Sequence, residues 1–74
     1  MFSYNKNMEI GKIIRELRKD RNLSQDQLAK EICTTQDAIS LWELGKSYPD
    51  VIYVVKLCKF FGVSADYLLG LEDY

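Results

Sequence analysis

The stretch that decides the fold runs from Leu23 to Gly45 and reads LSQDQLAKEICTTQDAISLWELG. Ser24 is a helix N-cap residue, and Gln27 three positions later completes a capping box, so a helix opens at Gln25. This helix extends over about 25–32 and turns Leu28, Ala29 and Ile32 inward. About two turns are too few to stand alone in water, so the helix must pack against neighbours. Cys33 and Thr34 make a tight connection, and Thr35 caps a further helix over about 36–44. Ala38, Ile39 and Trp42 form its buried side, and Gly45 ends it in the position that favours a left-handed residue. Two short helices joined by a tight turn, the second beginning on a capped polar end, make a helix-turn-helix. The small side chain of Ala38 lets the two helices approach closely.

Working outward, the segment before this unit carries Ile10, Ile13, Ile14 and Leu17 at the spacing of one buried helical stripe, which predicts a helix over about 9–21 that ends at Asn22. After it, Lys46 to Pro49 form a loop, Asp50 caps a fourth helix over about 51–61, and Gly62 ends it. Ser64 caps a short last helix carrying Leu68 and Leu69, closed by Gly70. In the fourth helix Val51, Val54, Val55, Leu57, Cys58 and Phe61 share an inner stripe. That leaves Ile52, Tyr53 and Phe60 on the opposite side, among Lys56 and Lys59. The expectation is an all-α, compact five-helix bundle around a central helix-turn-helix: a tail at 1–7, one domain at 8–70 and a tail at 71–74.

Composition narrows the function. A chain of 74 residues is one domain with a thin core. At 47% hydrophobic and 28% charged it has an ordinary globular balance. No apolar run is long enough to span a membrane, and Met1 to Met8 lack a secretory signal's apolar stretch. Cys33 and Cys58 match no metal-ligand spacing and read as reduced thiols, which points to the cytoplasm. The chain has no histidine, which removes the commonest general base and metal ligand, so no enzyme, metal or cofactor is expected. The net charge of −1 lacks the basic excess usual in nucleic-acid binders. Its distribution is uneven, however, because Lys6, Lys12, Arg15, Arg18, Lys19 and Arg21 cluster before Leu23.

Four runs carry a resemblance: Ile13-Ile14-Arg15-Glu16-Leu17-Arg18, Leu23-Ser24-Gln25-Asp26-Gln27-Leu28-Ala29, Ile39-Ser40-Leu41-Trp42-Glu43-Leu44-Gly45-Lys46 and Phe61-Gly62-Val63-Ser64-Ala65-Asp66-Tyr67-Leu68-Leu69-Gly70. In this order and spacing, residues 8–70 resemble the Cro/repressor-type helix-turn-helix family, also called the XRE family. Thr34-Thr35-Gln36 also looks like the start of the recognition helix of some lambdoid-phage repressors. The resemblance implies a lambda-repressor-like bundle whose third helix enters the major groove of double-stranded DNA. It also implies a homodimer on half-sites about one helical turn apart. The expected function is a transcriptional regulator, usually a repressor, reading a short pseudo-palindromic operator.

On the third helix, with Ile39 inward, Asp37, Ser40, Leu41 and Leu44 point outward and Gln36 lies at the edge. Gln36 suits the bidentate contact to adenine, Ser40 a base or phosphate, and Leu41 a thymine methyl. Asp37 either accepts from cytosine N4 or stabilises the helix N-terminus. Gln25 looks like the family's phosphate-contacting glutamine at a helix N-terminus, with a solvated first-turn residue as the alternative. Lys46, Ser47 and Tyr48 lie where the family meets the phosphate backbone, the alternative being a plain solvated turn. Arg18 and Glu43 resemble a family ion pair that orients the recognition helix. Lys19 and Arg21 read as solvated ends of the first helix. The surplus apolar side of the fourth helix, Ile52, Tyr53 and Phe60, joins Leu71 and the aromatic Phe2 and Tyr4 as a proposed dimer surface, unless the N-terminal tail covers it. Asp37, Leu41 and Leu44 depart from the polar or basic residues usual on this helix. With the acidic balance, they keep open a protein-interaction module such as an antitoxin or adaptor subunit.

Overall fold

Five α-helices follow one another in the computed structural model, which describes residues 9–71: α1 (Ile10–Asp20), α2 (Gln25–Glu31), α3 (Gln36–Leu44), α4 (Val51–Phe61) and α5 (Ala65–Leu68). The architecture is the all-helical bundle expected, with boundaries within a residue or two of the predicted ones.

Local chemistry sets each end. Ser24 accepts from the Gln27 amide at 3.0 Å while the Gln27 side chain accepts from the Ser24 amide at 2.8 Å, a complete capping box. Thr35, Asp50 and Ser64 cap α3, α4 and α5 by accepting from Ala38, Tyr53 and Tyr67 amides respectively. The C-terminal ends close on residues of positive φ: Asn22 (58°), Cys33 (62°), Gly45 (76°), Gly62 (70°) and Gly70 (77°). At Cys33 the reversal is tight, with the Thr34 amide donating back to the Ala29 carbonyl at 2.8 Å. A cysteine therefore holds the turn between α2 and α3 in a conformation that ordinarily favours glycine.

The core is Ile10 and Ile14 from α1, Leu28 and Ala29 from α2 with Ile32 just beyond its end, Ile39 and Trp42 from α3, Leu57 and Phe61 from α4, and Leu68 from α5. Gly11 decides how closely α1 and α3 approach. A Cβ there would overlap the Trp42 carbonyl oxygen and come within 3.2 Å of Glu43 Cα. Backbone meets backbone, so no side chain could swing away to make room. α5 turns back onto α1, bringing Gly70 beside Glu9.

The structure corrects the reading of α4. Val51 (74% exposed), Ile52 (61%) and Val55 (47%) form its outer side, whereas Tyr53 and Phe60 are half-buried. The inward stripe is Tyr53, Leu57 and Phe61 at successive i, i+4 steps, flanked by Val54, Cys58 and Phe60. Aromatic packing decides the rotation. Tyr53 lies against Trp42 with ring centroids 5.5 Å apart, and its hydroxyl donates to the Cys33 carbonyl at 3.3 Å. Phe60 meets Phe61 edge-on at 5.0 Å. Arg21 is exposed at the end of α1, as expected, but it also has partners on α4. Its guanidinium donates to the Phe60 and Phe61 carbonyls at 3.2 and 3.0 Å and lies over both rings, so the end of α1 caps the end of α4. Phe2 and Tyr4 lie outside the described residues, as do the tails apart from Leu71, which is exposed.

Candidate nucleic-acid interface

α3 is divided lengthwise. Ile39 and Trp42 are buried, Gln36, Asp37, Leu41 and Leu44 are exposed, and Ser40 lies half-buried at the margin. The outer side holds the residues the helical spacing predicts, except that Gln36 is open and Ser40 lies at the margin; Leu44 is 65% exposed. The following loop keeps Pro49 buried and leaves Lys46 and Tyr48 exposed and Ser47 half-buried. The amides of Lys46 and Ser47 both donate to the Leu41 carbonyl, at 2.9 and 3.4 Å, which folds the loop back against the end of α3.

A groove of about 230 Å³ runs beside this surface, lined by Arg15, Arg18, Gln25, Ser40, Glu43 and Leu44. Its floor is an ion pair. Arg18 Nε donates to Glu43 Oε2 at 2.7 Å and Arg18 Nη2 to Glu43 Oε1 at 2.9 Å, the two-pronged geometry of guanidinium on carboxylate. Both side chains are nearly enclosed, at 11% and 5% exposure. Arg18 Nη1 also donates to the Leu23 carbonyl at 2.8 Å, so the guanidinium ties α1 to α3 and to the start of the helix-turn-helix. Donation to the Glu43 carboxylate raises the Arg18 pKa above its ordinary value, against the opposing pull of burial.

From this pair a chain of hydrogen bonds reaches the surface. Gln25 Nε2 donates to Glu43 Oε1 at 3.0 Å, and Gln36 Nε2 donates to Gln25 Oε1 at 3.3 Å. Arg18, Glu43, Gln25 and Gln36 therefore form one connected set across three helices. Asp37 lies outside it, exposed in the first turn of α3. The structure brings together the proposed base-facing residues on one side of α3, with Gln25 adjoining Gln36. Lys46, Ser47 and Tyr48 follow at the far end of the same helix.

Two features escape the sequence reading. Arg15 adds an exposed cation to the groove rim, and its position one helical turn before Arg18 is the signal that would have found it. The Gln25 links to Glu43 and Gln36 depend on the crossing of α2 and α3, which no spacing within either helix reveals. Apart from the groove, a second cleft of about 360 Å³ lies between the end of α2 and α4, lined by Glu31, Ile32, Cys33, Lys56, Lys59 and Phe60.

The geometry matches known proteins closely. The helix-turn-helix family profile matches residues 14–68. The transcriptional activator BcrR of Enterococcus faecalis is 41% identical over 66 residues, covering 89% of this chain and 32% of BcrR. The transcriptional regulator ImmR of Bacillus subtilis is 30% identical over 66 residues, covering 89% of this chain and 52% of ImmR. The chain thus spans about a third to a half of the length of these relatives. Among solved structures, the P22 c2 repressor bound to a synthetic operator superposes with a TM-score of 0.80 at 33% identity, covering 85% of this chain and 96% of that one. The restriction-modification controller protein C.AhdI of Aeromonas hydrophila gives a TM-score of 0.76 at 25% identity, covering 88% and 98%.

Proposed function

The chain belongs to the XRE-type helix-turn-helix family, and from that premise we propose that it is a DNA-binding transcriptional regulator that reads a short pseudo-palindromic operator through α3. The observation that carries this reading is the set of hydrogen bonds that holds Gln25 and Gln36 side by side at the start of the helix-turn-helix. In the proposal Gln36, Asp37, Ser40 and Leu41 face bases, while Gln25, Lys46, Ser47 and Tyr48 hold phosphates. Arg15 adds a phosphate contact from the groove rim. Because the net charge is −1, affinity rests on these few placed groups and not on a broad positive field.

The protein acts in the cytoplasm as a homodimer. Support comes from the exposed Val51, Ile52 and Val55 on α4 and from Leu71, an apolar surface that burial in a two-fold interface would remove from water. Of the residues first assigned to that interface, Ile52 and Leu71 remain on it, and the half-buried Tyr53 and Phe60 serve the core instead. Among the described residues no helix is long and apolar enough to cross a membrane. Repression is the expected outcome where the operator overlaps a promoter, as the likeness to a repressor suggests.

The test is selection from a randomised duplex pool, followed by fluorescence anisotropy on the enriched site at low and moderate salt. A two-fold symmetric site, weakened by salt and lost with Gln36→Ala combined with Lys46→Ala, is the expected result. Absence of enrichment at low salt would end the DNA reading. Exposure of Leu41 (42%) and Leu44 (65%) on α3 favours one second reading, a protein-interaction module of the antitoxin or adaptor kind. Binding through those leucines would be almost independent of salt, whereas each phosphate neutralised contributes a slope of about −0.9.

A further inference from the structure

We propose that Glu43, which faces no base, sets the choice between adenine and guanine at the position read by Gln36. The inference rests on the DNA reading above and follows from the direction of the hydrogen bonds in the groove.

A carboxylate can only accept hydrogen bonds, whereas a glutamine amide has one donating end and one accepting end of nearly equal shape. Glu43 accepts from Arg18 Nε, Arg18 Nη2 and Gln25 Nε2. The Gln25 amide therefore has one permitted orientation, its NH₂ toward Glu43 and its oxygen toward α3. That oxygen accepts from Gln36 Nε2 at 3.3 Å, so the Gln36 amide is sorted in its turn. One N–H of Gln36 is committed to Gln25, and the oxygen and the second N–H are left for a ligand. One acceptor beside one donor complements the N6–H and N7 of adenine in the major groove.

Reversal of Gln25 would invert this. Its NH₂ would point at α3, Gln36 would turn its oxygen inward to accept, and two N–H donors would face outward. Two donors complement the O6 and N7 acceptors of guanine. Glu43 prevents the reversal because it cannot donate to a Gln25 oxygen turned toward it. Glu43 is thus a positioning residue whose charge is read out two side chains away.

Glu43→Gln keeps the volume but supplies an amide that can donate, which permits the reversed Gln25. The experiment measures the affinity ratio between duplexes carrying A and G at the Gln36 position, by anisotropy, for the wild type, Glu43→Gln, Gln36→Ala and the double variant. The expected result is a roughly tenfold fall in the A-over-G ratio for Glu43→Gln, about the discrimination of one bidentate pair. The salt slope stays unchanged, and Glu43→Gln has no further effect on the ratio once Gln36 is alanine. An unchanged ratio in Glu43→Gln, or an equal change in the Gln36→Ala background, overturns the proposal. A wild-type protein with no base preference at any position overturns the DNA reading and this inference together. Should Glu43→Gln fail to fold because Arg18 loses its counter-charge, Arg18→Met with Glu43→Gln removes both charges and is held to the same ratios.

Discussion

The outer sides of α3 and α4 are both exposed, yet they are built on opposite plans. On α3, Gln36 is linked through Gln25 to the enclosed Arg18–Glu43 pair, so part of its side-chain freedom is removed before any ligand arrives. On α4, Val51, Ile52 and Val55 stand open with apolar side chains that can neither donate nor accept a hydrogen bond. Ordering a glutamine or arginine side chain costs about 1.5–2 kcal/mol, and a surface ordered in advance spares a ligand that cost. A valine has little rotamer freedom to lose, so an apolar surface needs no such scaffolding and gains chiefly from area removed from water. The difference suits the two partners proposed above: a rigid polar duplex on one side, a second copy of the same chain on the other.

The comparison breaks most readily at Glu43. Glu43→Ala strands the Arg18 guanidinium in a nearly closed groove and should cost about 3 kcal/mol of stability in urea unfolding. A loss below about 1 kcal/mol would mean that the groove is open enough for water to replace the carboxylate. Next in size is Gly11→Ala. Forcing a methyl group against the Trp42 carbonyl should cost about 2 kcal/mol and lower the melting temperature by roughly 8–16 °C. On α4, Phe60→Glu and Ile52→Glu separate core from surface. Phe60→Glu should lower stability by about 1–2 kcal/mol, because it removes the packing on Phe61 and under Arg21. Ile52→Glu should leave the melting temperature within a few degrees while reducing the solution mass in light scattering to that of the monomer. An unchanged mass would remove α4 from the dimer. The smallest expected effect is at Lys46, where alanine should leave folding intact, weaken binding to all duplexes alike and reduce the salt slope by about 0.9.

These contrasts also mark what the sequence makes legible. The helices of the bundle and their caps follow from local rules, since Ser24, Thr35, Asp50 and Ser64 act on amides three residues away. The outward residues of α3 follow because Ile39 and Trp42 leave only one way to turn it. α4 offers no such constraint. Val51 to Val55 is apolar at every position but one aromatic alcohol, Tyr53, so several stripes fit equally well. The rings of Tyr53 and Phe60 choose between them through partners on α3 and α1 that lie far away in the chain. Gly11 was silent for the same reason. Its role is an interhelical distance, and no local pattern encodes one.

The return of α5 onto α1 has a mechanical consequence. With Gly70 beside Glu9, the two ends of the described fold share one seam. A pull applied between them acts on the α1–α5 contacts and, two residues along from Glu9, on the close packing of Gly11 against Trp42. A bundle pulled this way unzips, whereas the same bundle gripped at opposite sides would have to shear its whole core at once. The strength of the fold under tension is therefore a matter of where it is held.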